Sequence, residues 1–193
     1  MFNYDSSPTV TNCTFSDNTA DDEGGGMYNN DNSGPTVSNC ILWGDSPDEI
    51  INVGSLLTVR YSDVQGGLPG GTIDGGGNID IDPLFVDADG PDNTAGTEDD
   101  NLRLSGGSPC IDAGSGFLAS VFPFDLDGNQ RIVDDPATTD TGVGFPEVVD
   151  MGAYEFGSSP ALCISQLEGD INCDGIVNLL DQALLALHWL ETI

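Results

Sequence analysis

The segment Pro8-Thr-Val-Thr-Asn-Cys-Thr-Phe15 recurs 27 residues later as Pro35-Thr-Val-Ser-Asn-Cys-Ile-Leu42. A fainter copy, Leu57-Thr-Val-Arg-Tyr-Ser-Asp-Val64, follows after another 22. The lead-in repeats as well, since Met1-Phe-Asn-Tyr-Asp-Ser-Ser7 parallels Met27-Tyr-Asn-Asn-Asp-Asn-Ser33. A unit this short cannot enclose a core, so each copy must bury its apolar side against the next copy in an array. Within a copy, Val10 or Val37, then Cys13 with Phe15 or Cys40 with Leu42, alternate with polar residues as one-sided strands do. Asn12 and Asn39 break the alternation. Asn tolerates a left-handed backbone and its amide can bond to an amide stacked above it, so a corner with an Asn ladder is predicted there. The valines at 10, 37 and 59 are expected to form one inward column.

Short strands, an Asn corner and a fixed period resemble the coils of right-handed parallel β-helices of the pectin-lyase-like kind. The resemblance implies an all-β fold, with coils over residues 1–77 and polysaccharide as a partner. Gly24-Gly25-Gly26 is read as a further corner, where a side chain would obstruct the turn. Cys13 and Cys40 are expected to be stacked neighbours facing the core, either as buried reduced thiols or as a cross-coil disulfide. About three units and terminal caps are needed for such an array. The first copy starts without a cap, which leads to the expectation of a truncated solenoid with further coils upstream.

Charge narrows the function classes. There are 33 acidic residues against three arginines and no lysine, a formal net charge of -30 at pH 7. Phosphate backbones and anionic lipid surfaces are repelled by such a chain, which argues against a nucleic-acid partner. Divalent cations are its natural counter-ions. No apolar run approaches the roughly 18 residues that span a membrane. The hydrophobic share of 38% is too high for a disordered acidic tail. Five cysteines leave at least one thiol unpaired within the chain. Met1-Phe-Asn-Tyr-Asp lacks the basic start and apolar run of a signal peptide, so an export signal would lie outside this chain. Millimolar extracellular calcium would saturate weak oxygen sites, which points to a secreted protein or a bacterial cell surface.

From Asn78 the text changes to Ile-Asp-Ile-Asp-Pro-Leu-Phe-Val86, followed by a loop with six acids in the fourteen residues 87–100. Asp87, Asp89, Asp92, Asp99 and Asp100 could chelate a second calcium ion or form a solvated turn. The later segments Asn101-Leu-Arg-Leu-Ser-Gly-Gly-Ser-Pro-Cys-Ile-Asp-Ala-Gly114, Asp125-Leu-Asp-Gly-Asn-Gln-Arg131 and Val149-Asp-Met-Gly-Ala-Tyr-Glu155 resemble, in this order, the choice-of-anchor Q type domain of bacterial surface proteins. That resemblance implies terminal coils over residues 78–156 and attaches no chemistry to any residue. Arg103 and Arg131, both set among acids, are read as structural ion-pair partners. Residues 157–167 read as a linker.

The narrowest chemical signal is the twelve-residue run Asp170-Ile-Asn-Cys-Asp-Gly-Ile-Val-Asn-Leu-Leu-Asp181. Oxygen-bearing side chains stand at places one, three, five, nine and twelve and Gly175 at place six, the spacing of an EF-hand calcium loop. Asp170, Asn172, Asp174, Asn178 and Asp181 would offer side-chain oxygens, and Ile176 its carbonyl. Residues 168–193 resemble a single type I dockerin repeat, with Asp at the last ligand place and Leu179-Leu180 at a usually polar recognition pair. This implies a small α-helical, EF-hand-like module and a cohesin-like or other surface protein as partner for its helix.

A lyase or hydrolase of the pectin-lyase-like kind needs a base and cations for uronate carboxylates, or paired carboxylates beside a His. Arg60, Arg103, Arg131 and the lone His188 form no such set. The expected function is therefore a non-catalytic, calcium-binding secreted or surface protein with an attachment or assembly module. The alternative is the C-terminal part of a polysaccharide lyase or glycoside hydrolase whose catalytic coils lie upstream.

Overall fold

The computed structural model describes residues 1–119, 123–144 and 148–158. The chain divides into two compact units, Met1–Ser158 and Ser159–Ile193, and all described residues belong to the first. Each sequence copy supplies three short strands: β1 (Phe2–Tyr4), β2 (Thr9–Thr11) and β3 (Thr14–Ser16), then β4 (Met27–Asn30), β5 (Thr36–Ser38) and β6 (Ile41–Trp43), then β7 (Ile50–Val53), β8 (Thr58–Arg60) and β9 (Asp63–Val64). Corresponding strands pair in parallel, giving the small sheets β1-β4-β7 and β3-β6-β9, and a third, β2-β5-β8, extended by β10 (Ile73–Asp74).

Residues with positive φ separate the second and third strands of every copy: Asn12 (55°), Asn39 (51°) and Tyr61 (47°). The first two are the predicted ladder, with the Asn39 Nδ2 donating to Asn12 Oδ1 at 3.0 Å. Val10 lies in register with Val37, and Val37 with Val59. All three are buried, in a core with Met27, Cys40, Leu42, Ile50, Leu57 and Val64. Gly25 and Gly26 do occupy a closed corner. A Cβ on Gly25 would stand 2.5 Å from the Ser46 carbonyl oxygen, and one on Gly26 would collide with Asp45 Oδ2. Cys13 and Cys40 are free thiols, so the disulfide alternative does not apply.

The expected architecture, a right-handed parallel β-helix with terminal coils to residue 156 and then an α-helical module, does not describe this structure. Beyond the parallel bridge of Ile79 with Asp63, the described residues from 78 to 156 add no further coil. After β10 the chain forms an antiparallel pair, β11 (Phe85–Asp87) with β12 (Asn101–Leu104), and among the described residues the remainder is turns, loops and one four-residue helix, α1 (Gly116–Ala119). That helix is the only one among the described residues. The predicted helical module at 168–193 lies outside them.

The reason lies in β6. Ile41, Leu42 and Trp43 are consecutive apolar residues, a sign of a strand covered on both faces rather than one. Leu42 enters the first core, whereas Ile41 enters a second one with Leu104, Cys110, Ile111, Ala113 and Met151, against which Trp43, Tyr61, Ile79, Phe85 and Phe156 pack. The C-terminal segment thus folds back along the repeats instead of prolonging them. Three contacts tie it to the Asn corner: Ser115 N donates to Asn39 Oδ1 at 2.8 Å, Gly152 N to the Asn39 carbonyl at 2.9 Å, and Ala153 N to Thr14 Oγ1 at 3.0 Å.

Asn39 therefore carries more than its ladder partner does. Its amide nitrogen also donates to the Ser115 carbonyl at 3.0 Å, and the residue is fully buried. Asn39→Ala removes these side-chain bonds, strands buried main-chain groups of Ser115 and leaves a β-carbon at positive φ. We expect a loss of about 3 kcal/mol in urea unfolding for Asn39→Ala, against about 1 kcal/mol for Asn12→Ala.

Candidate functional site

Where ladders end, carboxylates take over the pairing of main-chain N–H groups. Asp125 Oδ1 accepts from Asp127 N at 3.0 Å and from Asn129 N at 2.8 Å, and its Oδ2 accepts from Glu155 N at 3.2 Å. Asp150 Oδ1 accepts from Asp112 N at 2.8 Å, and Asp150 Oδ2 from Phe156 N. Glu155 accepts from Val133 N and Asp150 N, both at 3.3 Å. Loops that hold their buried amides this way need no strand partner.

At the centre of this network stands Arg131, 2% exposed. Its guanidinium lies 3.5 Å from Glu155 Oε2 and donates to the carbonyls of Gly152, at 3.0 Å, and of Ala153. Burial pushes the Asp150 and Glu155 carboxyls up from the usual range, and the charge of Arg131 opposes that rise. Arg103 differs: it pairs with Asp127 near the surface and lies 4.6 Å from the centre of the Tyr154 ring. Both arginines are engaged with carboxylates. Neither is placed as a base.

Beside the network, Asp112, Asp134 and Asp140 each bring one oxygen to within 4.8 Å of the others. Two clamps assemble them. Thr141 N and Gly142 N donate to the Asp112 carbonyl at 3.0 and 2.9 Å, and Asp135 N donates to Asp112 Oδ2 at 3.2 Å. Asp135 also shapes the loop from within, accepting from Ala137 N at 3.2 Å and from Thr138 Oγ1 at 2.8 Å. Asp112 is 0% exposed, whereas Asp134 and Asp140 face solvent. Burial, aided by the charges of Asp134, Asp140 and Asp135, pushes the Asp112 carboxyl up to about 6.

The acidic loop read from the sequence is arranged differently. Asp87, Asp89, Asp92 and Asp99 are exposed and Asp100 half-buried. Asp92 Oδ1 accepts from Thr94 N at 2.9 Å, and Asp100 Oδ2 from Gly96 N at 2.7 Å and Thr97 N at 3.1 Å, while Asp99 accepts from Thr97 Oγ1. These carboxylates stitch their own turn together. Among the described residues, the trio around Asp112 is the one group of three acids that converges. Asp170, Asn172, Asp174, Ile176, Asn178 and Asp181 lie outside the described residues. No spacing rule marked Asp112, Asp134 and Asp140, which are 22 and 6 positions apart and meet only through the fold-back. No helix among the described residues is long and apolar enough to cross a membrane.

Compared with known proteins, the chain matches no family model, no curated protein and no solved structure.

Two expectations follow from the buried charges. Arg131→Met leaves Glu155 and Asp150 buried without a cation and should cost about 3–5 kcal/mol, whereas Arg103→Met at the half-exposed pair should cost under about 1 kcal/mol, both read from urea midpoints. The second concerns Asp63, which is fully buried and accepts from Ile81 N and from Cys110 Sγ, both at 3.2 Å. Burial chiefly raises its carboxyl from 3.8 to about 6, against the two hydrogen bonds. The folded chain thus holds a proton that the unfolded chain releases, so this stabilisation is complete below about pH 4 and is lost as pH rises to about 6. In chelator, the unfolding free energy should fall across that window, and Asp63→Asn should remove about 3 kcal/mol of that fall.

Proposed function

We propose that this chain is a non-catalytic, calcium-binding module of a secreted or cell-surface protein, with its C-terminal repeat serving attachment or assembly. The observation that carries this reading is the oxygen spacing of Asp170, Asn172, Asp174, Asn178 and Asp181 around Gly175, which few sequences without a calcium ligand would need. A charge of -30 with no lysine supports it, because such a surface attracts divalent cations and repels phosphate polymers. The engagement of Arg103 with Asp127 and of Arg131 with Glu155 supports the non-catalytic part, because it takes two of the three arginines out of the set that could serve uronate-cleaving chemistry and leaves Arg60 as the arginine outside an ion pair among the described residues.

In this reading, calcium draws Asp170, Asp174 and Asp181 together around one ion. The apolar Leu180, Ala183, Leu184 and Leu187 that follow supply contacts for a cohesin-like or other surface protein. Without calcium the three carboxylates repel one another.

Calcium added to the chelator-treated full chain should shift the circular dichroism and tryptophan fluorescence spectra, and Asp174→Ala should remove most of both responses. Identical spectra with and without calcium would refute the calcium assignment. Release of unsaturated products or new reducing ends from polygalacturonate would refute the non-catalytic one.

A further inference from the structure

We propose that Asp112, Asp134 and Asp140 form a calcium site of their own, distinct from the loop at Asp170–Asp181 and from the acidic turn at residues 87–100. Three acids in proximity are not by themselves a site. The independent observation is Asp112 itself: it is 0% exposed, and its Oδ1 is buried with no hydrogen-bond donor. The other carboxylate oxygen, Oδ2, is occupied by Asp135 N. Both oxygens sit on one carbon, so whichever of them lies in the triangle with Asp134 and Asp140, the orphaned one lies in it or directly beside it. An unpartnered buried carboxylate oxygen is costly, and a bound cation removes that cost.

The dimensions suit a calcium ion. Calcium binds oxygen at about 2.3–2.6 Å, so the oxygens of one ligand shell lie up to about 4.6–5.2 Å apart. Three oxygens within 4.8 Å of one another fall within the span of one such shell. Magnesium, at about 2.0–2.1 Å, demands a near-ideal octahedral set of partners, which calcium's flexible coordination does not. The buried side of the site supplies a fixed ligand, and the two exposed carboxylates leave room for water to complete six to eight oxygens.

The site would also have a mechanical effect. Asp112 belongs to the segment anchored on Asn39 through Ser115, while Asp134 and Asp140 flank the loop pinned by Asp135. An ion shared among them adds a cross-link between two stretches of chain that the single parallel bridge of Ser115 with Val143 and the bonds to the Asp112 carbonyl already bring together. Its binding would appear as added stability of the Met1–Ser158 unit.

The test uses the full chain carrying Asp170→Ala and Asp174→Ala, which silences the C-terminal loop and separates this site from the function proposed above. Titrated with calcium chloride in a calorimeter, that chain should still bind about one ion, at a Kd of about 10⁻⁴–10⁻³ M. Asp134→Asn and Asp140→Asn, both at exposed positions, should each weaken binding at least tenfold while leaving the urea midpoint in chelator unchanged. Asp92→Asn, an equally exposed acid outside the trio, should leave the Kd within twofold. The proposal is overturned if the silenced chain binds no calcium, if the two Asn variants bind as the silenced chain does, or if Asp92→Asn weakens binding as much as they do.

Discussion

The side chain of Asn39 is the contact on which the arrangement of the rest depends. It lies at a left-handed corner that β-branched residues cannot adopt without strain, and its amide bonds both to the equivalent Asn12 and to the main chain of Ser115, 76 residues further on. The main-chain carbonyl of Asn39 accepts from Gly152 N. One buried residue thus joins the repeating array, through its amide the loop that carries Asp112, and through its backbone the loop that carries Ala153. The amide is suited to this because it has donors and an acceptor on one planar group, so it can extend a ladder and dock a foreign strand of backbone at the same time.

Once the C-terminal segment is docked there, its composition follows from the need to satisfy backbone groups without sheets. Asp125, Asp150, Glu155 and Asp135 each accept main-chain N–H bonds, work that a strand partner would otherwise do. Carboxylates are strong acceptors, and their use in numbers leaves the interior rich in negative charge with Arg131 as the buried cation of this network. Desolvation then raises the carboxyls of Asp63, Asp112, Asp150 and Glu155.

The second core explains why the segment docks at all. In the sheet β3-β6-β9 the middle strand presents Leu42 to one side and Ile41 to the other, so the outer face cannot be left to water without exposing Ile41 and the flank of Trp43. Leu104, Ile111 and Met151 cover that face. The repeats and the C-terminal segment are therefore one folding unit through to Ser158, joined by apolar area as well as by the Asn39 bonds.

The period of the repeat, the inward column of Val10, Val37 and Val59, the corner at Asn12 and Asn39, and the tight glycine turn at 24–26 were all legible in the sequence, because each depends on a local rule that recurs at fixed spacing. What the repeat could not reveal was where the chain stops repeating: residues 78–156 keep an alternating apolar text that reads like more of the same, yet they fold back rather than stack. Only the tertiary structure decided that, since the choice turns on which exposed face, the open end of the array or the outer side of Ile41 and Trp43, gains more from being covered. The convergence of Asp112, Asp134 and Asp140 belongs with that decision. Three acids separated by 22 and 6 positions share no local period, and only the docking of two loops on one buried carboxylate brings them within reach of one ion.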